Sequence, residues 1–278
     1  MNRIVFLDVA KAICMVLVVF WHYMPENSPE WYTIFLKDIT PFRMPLFMFA
    51  SGYLYMATKK QIVYSDYLKN KLLRLLLPYL VVSIIIVSLK LVSQTNLDVD
   101  NPVTLLSYVK ILYMPEAGYF LWFIWAIWWM LILIPLFKTR MSRLLFFIFA
   151  LVVHYIPLEL TNIFCLDKFK DMLVFFMLGV VAFDYMKVRH FINDFSLSRS
   201  IVIIIIYLVF QFVYLQSADS IYFILSRVLP YIGLWFIVEV SKLICNYYKF
   251  NKKNVLMQIS ASTYVIYLFH TTFEGFAC

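Results

Sequence analysis

The sequence LDVAKAICMVLVVFWH, residues 7–22, decides the fold of this chain. It predicts an apolar helix that is long enough to lie in a bilayer and that carries three polar side chains, Asp8, Lys11 and His22. At about 100° per residue these side chains fall on one face of the helix, with Lys11 and His22 roughly 16 Å apart along its axis. Because an ionisable side chain that faces lipid costs several kcal/mol, we expect this face to point into the protein.

The composition of the chain is that of a membrane protein. Of its 278 residues, 64% are hydrophobic and 14% are charged, and the mean hydropathy is +0.83. The net charge of +8 does not indicate nucleic-acid binding, because the basic residues are divided among many short connections. The four cysteines show no CxxC or other metal-binding spacing, so we expect neither a disulfide framework nor a metal site.

Apolar runs of about 20 residues predict nine transmembrane helices, which form an all-α bundle and a single domain over residues 1–278. No internal repeat or low-complexity tract interrupts this pattern. The predicted spans lie near residues 4–24, 42–58, 73–93, 119–137, 143–158, 170–186, 200–216, 220–241 and 255–273.

The basic residues are distributed unequally between the connections that join these spans. One side of the bundle carries 16 Lys and Arg residues, and the other side carries 5. The positive-inside rule therefore places the N-terminus in the cytoplasm, and we expect a multi-pass protein of the inner (cytoplasmic) cell membrane. This orientation puts Asp8 and Lys11 toward the cytoplasm and His22 toward the outer face.

His22 is the first candidate for chemistry, because an imidazole can accept and return a proton near neutral pH. The alternative is that Trp21, His22 and Tyr23 belong to an interfacial aromatic belt. Lys11 favours the chemical role, because an interfacial histidine does not require a buried cation three turns away. For Asp8 and Lys11 themselves, the alternative is a purely structural ion pair.

The second candidate stretch is PFRMPLFMFASGYLY, residues 41–55. Two prolines flank Arg43, and this spacing predicts a helix start at which the arginine is directed toward an anion. Ser51, which is followed by Gly52, would let a ligand or another helix approach closely. Helix packing alone is the commoner reason for such a pair of small residues.

The third candidate stretch is KNKLLRLLLPYL, residues 69–80. Lys71 and Arg74 are three residues apart and lie on one helical face, where two cations can hold a phosphate. The positive-inside rule also predicts basic residues at this edge of the membrane, so topology alone is the alternative explanation.

Two later stretches add aromatic residues and a second histidine. Trp122 lies in YFLWFIWAIWW, residues 119–129, which either lines an apolar slot or only packs against other helices. Tyr267 precedes His270 by one turn in STYVIYLFH, residues 262–270. A core histidine that is hydrogen-bonded to a neighbour is the alternative for His270.

Taken in order, these stretches resemble the acyltransferase 3 family of integral membrane acyltransferases. Members open with a basic residue, ten residues of apolar helix and a histidine, and Lys11 and His22 have this spacing, with lysine where the family usually has arginine. Lysine keeps the positive charge but lacks the planar fork that grips a phosphate or carboxylate at two points. The other similar stretches are RMPLFMFASGYLY, KLLRLLLPYL, YFLWFIW and STYVIYLFH.

The resemblance implies transfer of an acyl group, commonly acetyl from acetyl-CoA, to a hydroxyl of a cell-surface carbohydrate or glycolipid, without a metal. Our hypothesis is that His22 acts as general base on the acceptor hydroxyl, while Lys11 and Arg43 stabilise negative charge on the donor or intermediate. Lys71 and Arg74 are expected to hold the nucleotide phosphates of the donor. The other residues expected in substrate binding are Asp8, Ser51, Trp122, Tyr267 and His270.

Two other classes of function stay open. A transporter or flippase for a glycolipid or small solute also needs buried charge in a wet cavity, although the sequence has no mirrored pair of broken helices. The second class is a non-catalytic membrane relative of the family. This class stays open because Lys11 stands where the family usually has arginine.

Overall fold

The computed structural model describes residues 3–23, 28–59, 62–95, 101–217, 219–251 and 253–271. Within these ranges the chain is helical and contains no strand, which confirms the predicted all-α fold. The predicted cytoplasmic lysines Lys60 and Lys252, the end of the ninth predicted span and Cys278 lie outside the described residues.

Each predicted span overlaps one of the helices. In chain order the helices are α1 (Val5–His22), α2 (Glu30–Thr58), α3 (Tyr64–Lys71), α4 (Leu77–Ser93), α5 (Ser107–Lys110), α6 (Trp122–Leu133), α7 (Arg140–Tyr155), α8 (Leu166–Asp184), α9 (Met186–Asn193), α10 (Leu197–Gln216), α11 (Asp219–Tyr247) and α12 (Val255–Phe269). A π-helical segment, Leu72–Leu76, joins α3 to α4, and short 3₁₀ segments lie at Tyr119–Leu121, Ile134–Leu136 and Ile163–Cys165.

Five helical segments in the described part of the chain are long and apolar enough to cross a membrane, by length and composition. Together with the absence of strands there, they make the protein an all-α membrane bundle. These segments are Val5–His22, Tyr64–Ser93, Tyr119–Leu136, Leu197–Gln216 and Tyr222–Tyr247.

The predicted helix start at the two prolines is wrong, because α2 begins at Glu30 and contains both Pro41 and Pro45. A proline inside a helix removes one backbone hydrogen bond and usually bends the helix. Side-chain hydroxyls bind carbonyls next to this site: Thr40 Oγ1 donates to Leu36 O at 2.7 Å, and Tyr207 Oη donates to Asp38 O at 2.6 Å. The carbonyls that Pro41 and Pro45 leave without a helical donor are those of Lys37 and Pro41, so these two bonds go to neighbouring carbonyls rather than to the freed ones.

The chain divides into two units, and the predicted single domain stays a prediction. The first unit comprises Met1–Ser51 and Tyr185–Cys278. In it α1 packs against α11 and α12, and α10 packs against α11. A Cβ atom added to Gly233 would lie 2.8 Å from Phe42 Cβ, so glycine is needed where α11 approaches α2.

The second unit comprises Gly52–Asp184, in which α8 packs against both α6 and α7. A Cβ atom added to Gly52 would lie 2.0 Å from the carbonyl oxygen of Phe176, so the backbones of α2 and α8 are in direct contact. Helix packing therefore explains Gly52. Arg143 forms an ion pair with Asp184, which ties the start of α7 to the end of α8.

Candidate functional site

Two histidines that are far apart in sequence meet in the first unit. His22 is the last residue of α1, and His270 directly follows α12. Their rings are arranged edge to face, with 4.8 Å between centroids and 68° between planes. Residue spacing predicts that each is a candidate, but it does not predict this contact, because nothing local in either stretch specifies the other.

The orientation of the His270 ring is set by its own helix. His270 is buried, and its Nδ1 lies 2.7 Å from the carbonyl oxygen of Tyr267. Because a carbonyl only accepts, Nδ1 must carry the proton, and a neutral His270 then has Nε2 as its acceptor nitrogen. Tyr267 is itself buried and contributes its carbonyl and its ring, whose centroid is 5.7 Å from that of His270.

The other end of α1 carries an ion-pair cluster centred on Asp8. Lys11 Nζ lies 2.9 Å from Asp8 Oδ1, and Ser260 Oγ donates to the same oxygen at 2.9 Å. Arg3 pairs with the second carboxylate oxygen. Both oxygens of Asp8 therefore have partners within the protein, as the structural alternative for Asp8 and Lys11 requires.

The polar face of α1 is directed at α12 through both contacts. Asp8 and Ser260 lie in the early parts of α1 and α12, whereas His22 and His270 lie at their C-terminal ends. The two helices therefore run parallel to each other. This arrangement turns the polar face toward α12 within the unit, with Asp8 buried and with Lys11 and His22 partly buried.

Arg43 belongs to α2 and lies next to the end of α1. Its guanidinium carbon is 4.0 Å from the centre of the Trp21 ring, directly beside His22 in sequence. Arg43 is 7% exposed, and its Nε has no hydrogen-bond partner among the described residues. It also forms no ion pair in that part of the chain. The Trp21 ring offsets part of the cost of burying this charge, and an anionic group at Arg43 would offset more.

Tyr32 is a residue of this region that sequence reasoning missed. Its hydroxyl lies 2.7 Å from the carbonyl oxygen of Phe20 and 2.6 Å from that of Tyr23. The last carbonyls of a helix lack partners within the helix, so Tyr32 caps the turn that holds His22. The need for such a cap is predictable, but the residue that supplies it is not.

Ser51 and the second-unit candidates are not part of the histidine contact. Ser51 Oγ donates to Phe47 O of its own helix at 2.7 Å. Trp122 is half-buried at the start of α6. Lys71 ends α3 with its Nζ 5.5 Å from the centre of the Tyr67 ring, and Arg74 is exposed in the π-helical segment.

Comparison with known proteins finds one family. The family model described as an acyltransferase domain matches residues 4–276. No curated protein and no solved structure matches this chain. In the described part of the chain, no three His, Cys, Asp or Glu side chains lie close enough together to hold a metal ion.

Proposed function

Because this chain belongs to the acyltransferase 3 family and is a membrane acyltransferase, we propose that it transfers acetyl from acetyl-CoA to a hydroxyl of a carbohydrate or glycolipid. The single observation that carries this proposal is the contact between His22 and His270, with the buried Arg43 beside it. Acyl transfer to a hydroxyl requires a base and a group that stabilises negative charge, and Arg43 has no ion-pair partner among the described residues.

In the proposed reaction, His22 accepts the proton of the acceptor hydroxyl. At the same time, the hydroxyl oxygen attacks the thioester carbonyl carbon of the donor. The carbon–sulfur bond then breaks, and the CoA thiolate takes the proton from the His22 imidazolium. Arg43 stabilises the negative charge on the carbonyl oxygen of the tetrahedral intermediate. His270, which is held by Tyr267, positions the ring of His22 rather than reacting.

Lys11 has a separate role in the proposal. It lies roughly 16 Å from His22 along the axis of α1, too far to touch an intermediate at that histidine. Its charge is shared with Asp8, at 2.9 Å. We therefore assign Lys11 to negative charge on the donor, leaving Arg43 to act on the intermediate. Asp8 contributes by holding Lys11.

The remaining roles depend on the proposed location and orientation. The protein lies in the inner cell membrane, and its N-terminus lies in the cytoplasm. Lys71 and Arg74 hold the donor phosphates at the cytoplasmic edge. Tyr267 and Trp122 contribute aromatic surface for substrates. The Ser51 hydroxyl already donates a hydrogen bond within its own helix. In the proposal, the small Ser51 side chain therefore leaves room for a substrate and does not bind it through a hydrogen bond.

The test is acetyl transfer by the purified protein in detergent or nanodiscs, with radiolabelled acetyl-CoA and extracted surface glycans or glycolipids as acceptors. His22→Ala is expected to lower the rate by about 10²–10⁴-fold, as loss of a general base does. His190→Ala is the matched control, because His190 is exposed on α9. Movement of a glycolipid across the membrane without transfer of the radiolabelled acetyl group would indicate a transporter. The absence of both activities would indicate a non-catalytic relative.

A further inference from the structure

Two tyrosines attach α3 to the end of α6 in the second unit. No residue of α3 is buried, so packing alone does not hold this helix in place. Tyr64 Oη donates to Ile132 O at 2.8 Å, and Tyr67 Oη donates to Leu131 O at 2.9 Å. These hydrogen bonds fix both phenol rings on one side of α3.

One of the two acceptor carbonyls is available because of a proline. The residue four positions after Leu131 is Pro135, which has no N–H to donate back to the Leu131 carbonyl. Helix α6 accordingly ends at Leu133 and continues as the 3₁₀ segment Ile134–Leu136. The end of α6 thus offers Tyr67 a carbonyl that its own helix cannot satisfy.

The two phenol rings form a fixed and partly exposed aromatic surface. Their centroids are 6.5 Å apart and their planes differ by only 17°, so they are nearly parallel. Tyr64 is 40% exposed although its hydroxyl is bonded. A ring that is fixed before binding loses little conformational freedom when a flat ligand stacks on it.

Two cations continue the same face of the helix. Tyr64, Tyr67 and Lys71 are spaced by three and four residues, which aligns them over two turns and roughly 10 Å. Lys71 Nζ lies 5.5 Å from the centre of the Tyr67 ring, and Arg74 follows in the π-helical segment. Neither cation forms an ion pair with a described residue. Segments of π-helix occur frequently at functional sites.

We infer that the adenine of the acyl-CoA stacks on Tyr64, beside the phosphates that the proposed function already assigns to Lys71 and Arg74, and that Tyr67 holds the neighbouring ring in place. The inference rests on the proposed function and adds a base-recognition element to it. The order of the side chains, aromatic and then cationic, matches the order of base and phosphates in an adenine nucleotide. A lipid phosphate would engage the same cations, but a headgroup without an aromatic ring cannot stack on the fixed phenol of Tyr64.

Equilibrium binding of CoA to the purified protein tests this inference without requiring transfer. Loss of one base–aromatic stack is expected to weaken CoA binding by about 5- to 150-fold in Tyr64→Leu. Tyr64→Phe keeps the ring and loses only the hydrogen bond to Ile132, so it retains most of the affinity. Tyr247→Leu is the matched control, because Tyr247 is an exposed tyrosine of the other unit.

A truncated donor separates stacking from a general effect on folding. Acetyl-phosphopantetheine carries the thioester but no adenine, so Tyr64→Leu should leave the transfer rate from this donor at the native value. An equal loss of rate with both donors, or unchanged CoA affinity in Tyr64→Leu, would overturn the inference while leaving the role of His22 intact. Failure of the native protein to bind CoA would overturn the proposed donor itself.

Discussion

The rings of His22 and His270 lie edge to face with 4.8 Å between their centroids, at the C-terminal ends of two parallel helices. His270 is buried and His22 is only partly buried, so His22 is the member of the pair that a substrate can reach more readily. The same two helices are joined at their other ends by Asp8 and Ser260.

The first prediction concerns the role of His270 in positioning its partner. His270→Phe keeps a ring against His22 but removes the Nδ1 hydrogen bond to Tyr267, so transfer should fall by about 2- to 10-fold, the value of one hydrogen bond. The loss should appear in kcat, with the KM for acetyl-CoA unchanged. A loss as large as that of His22→Ala would instead show that His270 takes part in the chemistry.

The second prediction separates activity from stability at Arg43. Arg43→Met should lower kcat by about 10²–10³-fold, as loss of a group that stabilises an oxyanion does. The substitution removes a buried charge that has no ion-pair partner in the described part of the chain, so the melting temperature of the variant in detergent should equal or exceed the native value. Arg227→Met is the control, since Arg227 also lies over an aromatic ring, 4.4 Å from the centre of Phe223. A stability loss in Arg43→Met with normal kcat would contradict the proposed role.

The third prediction concerns the ion pair at the start of α1. Lys11→Met leaves Asp8 with one cation fewer, and Asp8→Asn removes the charge that Lys11 neutralises. A double-mutant cycle of thermal stability should therefore give a coupling energy of about 0.5–3 kcal/mol between Asp8 and Lys11. Lys11→Arg should keep the coupling, because the charge is retained. Additive effects of the two substitutions would show that the pair has no energetic role.

The fourth prediction concerns the contact between α2 and α8. Gly52→Ala places a methyl group 2.0 Å from the carbonyl oxygen of Phe176, and neither backbone can yield without moving a helix. Overpacking of this kind should destabilise the protein by about 1–3 kcal/mol, measured by thermal unfolding in detergent. The neighbouring Ser51→Ala is the control, because the Ser51 hydroxyl bonds only within its own helix. Equal stability of both variants would show that α2 and α8 are not in direct contact.

Prediction failed most clearly at the two prolines of α2. In a water-soluble protein, Pro41 and Pro45 would be read as a helix start, because each removes a backbone donor. In this bundle the neighbouring carbonyls of Leu36 and Asp38 accept from Thr40 and Tyr207, and the helix continues through. Tyr207 lies on α10, so no window of sequence around the prolines predicts the contact that it makes beside them.

The amino-acid sequence by itself determined nine apolar helical segments and the single polar face of α1 that carries Lys11 and His22. Apolar length and the 3.6-residue period are local properties, and the bilayer leaves helices as the only economical way for such segments to satisfy their backbones. Only the tertiary structure decided which side chains meet: His22 with His270, Arg43 with Trp21, and Tyr67 with the carbonyl left free by Pro135. These partners depend on how helices distant in sequence pack together, and helix packing is set by the shapes of whole surfaces rather than by any one segment.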